Sequence, residues 1–410
     1  MLAVALMGGS ACDPYPQIHW PGIHRGPRNS DAIDSDGATR LEPLFTTPLR
    51  GVVGLAVTLG PTDTLYATTG RSFVGDPCHF YILDPFTGVV RGCTDALDER
   101  AVRSAPLSDA GGRVFIADGR FMHAFTPEGQ LLWKSPIDSA PLSAQLTRSG
   151  RLIFISSAGI IYVLDRSTGE QILEPVVTVP GATGGDTGDC LRGGAGSGCV
   201  SANTLAIASD DTFYFTLARG GAHADVVAMQ LRADETPPRI VPLWASVGVL
   251  GGGGGASPTL SASEARLYLT DNAHQLIALE AASGEVAWRF DIGFAPAGSP
   301  SVSSSGRIVP AALGRLLAVQ DDGPRGRLLW SRPDIVANGL VAQAGDVGYT
   351  VADGALLVFE ADTGRTLQSL PGPRNSVGVS LASDGRVYTV SLGGEIRGYG
   401  PALEATRTAP

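Results

Sequence analysis

Four stretches of the chain repeat one short pattern: Ile82-Leu83-Asp84-Pro85-Phe86-Thr87-Gly88, Val163-Leu164-Asp165-Arg166-Ser167-Thr168-Gly169, Ala278-Leu279-Glu280-Ala281-Ala282-Ser283-Gly284 and Val358-Phe359-Glu360-Ala361-Asp362-Thr363-Gly364. Each reads as an apolar pair, an acid, two variable positions, a hydroxyl and a glycine. A degenerate copy returning along 410 residues marks a stacked or circular array. It overrides the two or three independent domains that length alone predicts. Residues shared by every unit report architecture, so any activity has to lie in what is not repeated.

A longer cycle surrounds the pattern from about residue 44 onward. A small-residue strand comes first, often with Ala-Pro or Ser-Pro, as at Ala105-Pro106, Ala140-Pro141, Ser257-Pro258 and Ser299-Pro300. A turn such as Ser149-Gly150-Arg151 or Asp384-Gly385-Arg386 leads to a β-rich second strand, for example Leu267-Tyr268-Leu269-Thr270. The third strand ends in the acid–hydroxyl–glycine turn, whose side chains bond back to the backbone while the glycine supplies a positive φ. The fourth ends at a tryptophan four residues past a glycine in three copies: Gly129 to Trp133, Gly284 to Trp288 and Gly326 to Trp330. A large ring recurring at one place predicts a wedge between neighbouring sheets.

Second-strand aromatics mark the period. Tyr66, Phe115, Phe154, Phe215, Tyr268, Tyr349 and Tyr388, with Val309 in the remaining place, recur about 40 residues apart. Short β-runs at this spacing predict an all-β fold: an eight-bladed β-propeller of four-stranded antiparallel blades over residues 44–400. The last unit shows three evident strands, ending at Tyr399. Pro43-Leu44-Phe45-Thr46-Thr47 is expected to supply its outer strand, so that an N-terminal strand closes the ring and leaves no free edge.

Composition limits the function. Hydrophobic residues at 43% and charged residues at 17% are globular values, and 54 glycines and 28 prolines suit many tight turns. With a net charge of −10 and Lys134 as the only lysine, the chain lacks the clustered cations that nucleic-acid binding needs. No apolar run reaches the roughly 18 residues of a membrane-spanning helix.

Leu2-Ala3-Val4-Ala5-Leu6-Met7, then Gly8-Gly9-Ser10-Ala11-Cys12, resembles the end of a bacterial lipoprotein signal peptide, which implies export and lipidation of Cys12. Gly9 stands where that pattern prefers leucine, and no basic residue precedes the apolar run. Residues 13–43, rich in Pro, Gly, Asp and Ser, read as a flexible tether, with His19, His24 and Asp31 in solvent; residues 401–410 read as a disordered tail. The other cysteines, Cys78, Cys93, Cys190 and Cys199, are even in number, and 78–93 with 190–199 is the simplest of three pairings. Their spacing is not metal-like, so an oxidising compartment is expected.

The acid–hydroxyl–glycine turn followed by tryptophan resembles the pyrroloquinoline-quinone-type (PQQ-like) β-propeller repeat, over roughly residues 44–400. Its members include quinoprotein dehydrogenases and non-catalytic envelope proteins, among them the lipoprotein subunit of the outer-membrane β-barrel assembly machinery, similar in length and blade number. Four units lack the tryptophan, with Gly92, Leu173 and Gln368 at its place in three of them. A quinoprotein enzyme would bring a carboxylate–amide metal site and usually adjacent cysteines; the chain has no Cys-Cys pair. The expectation is therefore an exported, lipid-anchored scaffold of the periplasm or outer membrane, with no catalytic residues, cofactor or metal. It would hold a protein partner, or a glycan, through loops 181–200 and 232–240. The alternative is a quinone-dependent or glycan-active enzyme with its site in the central funnel.

Overall fold

The computed structural model describes residues 13–402, apart from 17–19, 71–77, 99–100, 102, 140, 142, 186–197, 219–222, 255, 297 and 311. The described strands form six four-stranded sheets and one nine-stranded sheet. A single pair, Ala337 with Ala352, fuses two four-strand units in the larger sheet, and the short strand Ala32–Ile33 adds to it in parallel. Counting those two separately, the units run from unit 1 (Thr58–Gly60, Thr64–Thr68, Phe80–Leu83 and Val90–Thr94) to unit 8 (Ser376–Leu381, Val387–Ser391, Glu395–Pro401 and the outer strand Leu41–Pro48).

Strand burial follows position in the sheet. Second and third strands are covered on both faces, as in Val114–Ala117 and Leu356 to Phe359, and so read as continuous apolar runs. Outer strands face solvent on one side and alternate, as in Leu131–Pro136. Register places Tyr66, Phe115, Tyr268, Val309, Tyr349 and Tyr388 opposite equivalent residues of the innermost strands. In units 3 and 4 the equivalent residues are Ile153 and Tyr214, so Phe154 and Phe215 lie one residue off, on the other face.

Neighbouring units lock through a ring laid on a glycine of the next unit, not of its own. A Cβ on Gly169 would stand 2.5 Å from Trp133 Cε3, one on Gly364 2.5 Å from Trp330 Cε3, and one on Gly326 2.8 Å from Trp288 Cζ3. Gly284 receives Trp244 in the same way, although no glycine stands four residues before that tryptophan. Gly169, Gly284 and Gly364 have φ near +70°, which ties each position to glycine twice, by conformation and by contact. Three of the indoles donate Nε1–H to a turn carbonyl of the next unit, at Arg166, Ala281 and Ala361.

The seam between the last and first units uses the same device. Leu41–Pro48 pairs antiparallel with Glu395–Pro401, and its Phe45 lies on Gly88 of unit 1 as the tryptophans lie elsewhere. Tyr388 Oη donates to Pro85 O at 2.9 Å and Ser380 Oγ to Val57 O at 2.6 Å across the same seam. The sheets thus form a closed propeller sealed by an N-terminal strand.

Candidate functional site

The stretch expected to be a flexible tether is instead the axis of the ring. Its backbone carbonyls accept hydrogen bonds from equivalent N–H groups on successive innermost strands: Leu59 to Trp20, Ser108 to Pro21, Ile207 to Pro27, Leu260 to Arg28, Val302 to Ser30 and Gln343 to Asp31, all between 2.7 and 3.0 Å. In unit 3 the Leu146 N–H donates to Tyr15 Oη at 2.7 Å. These amides line the inside of the ring and have no further strand to pair with, so a chain rich in proline and glycine satisfies them without adding a sheet.

Side chains fill what is left. Trp20 and Asn29 are fully buried. Asn29 Nδ2 donates to Thr204 O and Pro258 O at 3.0 Å, and its Oδ1 accepts from Gln145 Nε2 at 2.8 Å, tying units 3, 4 and 5 together. His24 Nδ1 lies 2.8 Å from Asp31 Oδ2 and its Nε2 lies 3.4 Å from Ser299 Oγ. Burial raises the Asp31 carboxyl, opposed by His24, and burial lowers Arg25. Acid, imidazole and hydroxyl stand in catalytic order here. Ser299 is nevertheless 2% exposed and its contact is long, so the arrangement fastens the segment to unit 6.

Asp31 and His24 are therefore buried partners, not solvated linker residues. Pro and Gly content signals a linker only when nothing nearby needs its carbonyls. The spacing of Trp20 and Ile23, two apolar residues in a polar run, was the available clue. Trp20, His24, Asn29 and Asp31 are all buried along this axis. Among the described residues no three His, Cys, Asp or Glu side chains converge as metal ligands.

The open concavities lie on the face formed by the turns after the innermost strands. A groove of about 580 Å³ runs along Arg148, Asp210, Asp211, Gln230 and the residues 231–235. A second, of about 140 Å³, continues it to the mouth of the axis at Asp13, Tyr15, Arg28 and Glu264. The turns are stapled to each other. The Asp211 carboxylate accepts from the N–H groups of Arg148 and Ser149, and the Glu264 carboxylate from Ser209 N–H and Oγ. Burial raises the Asp211 carboxyl, with the hydrogen bonds from unit 3 pulling against it. The groove holds four carboxylates, Asp210, Asp211, Asp234 and Glu235, against Arg148 and Arg232. It includes the start of the 232–240 connection, which contains a cis Thr236–Pro237 peptide.

The remaining expected residues fall as follows. Cys78 and Cys93 form a disulfide with 5.7 Å between Cα atoms, joining the approach to the third strand of unit 1 to its outer strand. Cys199 is buried and disulfide-bonded; Cys190 and Cys12 lie outside the described residues, as do Asp186 and Asp189. Trp133, Trp288 and Trp330 lie at seams, and Gly284 and Gly326 beneath rings, whereas Gly129 meets only Ile82.

Known proteins share this pattern. Residues 241–335 match the family model described as outer membrane protein assembly factor BamB. Protein Rv3035 of Mycobacterium tuberculosis is 27% identical over 419 residues, covering 96% of this chain and all of that protein. Among solved structures, BamB from Moraxella catarrhalis superposes with a TM-score of 0.65 at 16% identity, over 88% of this chain and 100% of that one. Quinohemoprotein alcohol dehydrogenase from Comamonas testosteroni gives 0.68 at 14% identity, over 95% and 82%. At such identities these structures speak for the fold alone. Repeat, family model and fold agree in their likeness: residues 241–335 match a PQQ-like repeat model, and the chain as a whole shares the β-propeller fold of these proteins.

Proposed function

We propose that this chain is a non-catalytic scaffold of the cell envelope, exported and held at a membrane by a lipid on Cys12. Its acidic turn face receives a protein segment bearing arginine or lysine. One observation carries the reading: the axis, where an enzyme of this fold would work, is occupied by residues 20–33, while the open groove lies off-axis and carries an excess of carboxylates. The family model named for an assembly factor and the fold shared with BamB support an envelope role.

The test is a photo-crosslinking residue placed at Asp234, with Glu285 on an exposed turn of unit 5 as control. A discrete adduct from Asp234 alone, lost when Asp210 and Asp234 are both changed to lysine, is the expected result. Equal adducts from both sites, or none, would remove the reading. Cys12→Ser should move the protein from the membrane to the soluble fraction.

The dehydrogenases that share the fold keep a second reading in play, oxidation with a bound quinone. Quinone with calcium, at saturation, would raise the melting temperature if a site exists. The scaffold reading expects no shift.

A further inference from the structure

One seam keeps the turn glycine without the ring. A ring covers Gly88, Gly169, Gly284, Gly326 and Gly364, but Gly129, with φ +86°, has none. Gly92 stands where the tryptophan belongs, and only Ile82 Cδ1 reaches the seat, 2.6 Å from where a Cβ would be. Strand pairing explains the exchange. Trp133, Trp244, Trp288 and Trp330 each oppose an alanine (Ala124, Ala228, Ala278, Ala318), whereas Gly92 opposes Ile82. A branched aliphatic group fills less than an indole does. An open pocket of about 270 Å³ remains, bounded by Thr62, Thr64, Ile82, Arg91, Gly92, Pro127 and Glu128. It exceeds the roughly 150 Å³ cavity that takes up benzene in an engineered protein core.

We propose that this slot binds a single indole ring, either free or carried as the tryptophan side chain of a polypeptide. Ile82 supplies the apolar floor. Gly92 leaves the entrance open: a Cβ there would meet nothing closer than 3.7 Å. A polar anchor is present as well. In three of the filled seams the indole N–H donates to a turn carbonyl of the next unit, and in a fourth to the Asp321 carboxylate. Here Pro127 O lies in that turn, accepts from Tyr66 Oη at 3.2 Å and keeps a second lone pair.

Titrating the full chain with indole and with N-acetyl-tryptophanamide, followed by calorimetry and thermal shift, tests the assignment. Indole should bind saturably and raise the melting temperature. Gly92→Trp should abolish binding. Ile82→Ala, which restores the alanine found opposite each of the four seam tryptophans, should tighten it several-fold. The double variant G92W with I82A rebuilds the ordinary pair, so it should melt no lower than wild type and bind nothing. No binding to wild type, or binding unchanged by G92W and by the double variant, would overturn the proposal. A response to N-acetyl-tryptophanamide matching that to indole assigns the ligand to a polypeptide side chain. A response to indole alone assigns it to the free ring.

Discussion

The ring is held together in two ways, at its rim and along its axis, and the two differ in reach. At the rim, each ring-on-glycine contact joins one unit to the next, and five copies do the same work. Along the axis, one segment bonds to innermost strands of seven units, through six different backbone carbonyls and the Tyr15 hydroxyl. Rim contacts are local and redundant. Axial contacts are unique and shared among distant units, so damage there should spread.

Trp20→Ala is the sharpest way to break this comparison. The side chain is fully buried on the axis, and its removal should cost about 4 kcal/mol. The diagnostic is hydrogen exchange. Protection should fall at Leu59 and Ser108 and also in units 4 to 7, reached through the same segment. Loss confined to unit 1 would show the axis to be no more global than a seam.

Trp288→Ala should cost about 3 kcal/mol by denaturant titration, because the ring is 6% exposed and packs against Tyr268. Its exchange changes should stay within units 5 and 6. Gly284→Ala comes next, at about 2 kcal/mol, since a Cβ must adopt a left-handed conformation and displace Trp244. Here a shift in tryptophan fluorescence should accompany the loss.

The smallest effect concerns the turn beneath Phe45. Burial draws the Asp84 carboxyl up, but N–H groups of Thr87 and Phe86, the Thr87 hydroxyl and Arg91 together hold it at about 2, below the ordinary 3.8. The folded group has the lower pKa, so its contribution is complete above the ordinary carboxylate range. It is lost as pH falls from 3.8 through about 2. Asp84→Asn should flatten that acid limb of stability; an unchanged limb would assign it to other carboxylates.

The same contrast decides what the sequence revealed. The rim was legible because it repeats: the turn glycines, the three tryptophans with their spacing, and the strand Pro43 to Thr47 with its destination were all readable. Trp244 escaped because Ile240 replaces the glycine that frames the other copies. The axis was illegible because its bonds run through backbone carbonyls, which every residue has. Proline and glycine there serve a fixed path, although the same composition elsewhere means a loose one. The acidic groove was only half visible. The 232–240 connection was singled out, but Arg148, Asp210 and Asp211 meet it only when units 3 and 4 stand side by side.

Leu41 finds its partner in Pro401, far along the chain, and the segment before it has no axis to occupy until the other units stand around it. The axial segment and its strand are thus among the last to settle. A chain halted anywhere short of the final sheet keeps its opening stretch loose and its last edge bare, an inviting template for aggregation or a protease. Closure therefore doubles as a check on assembly: only a chain that carries the last sheet can bury the axial segment.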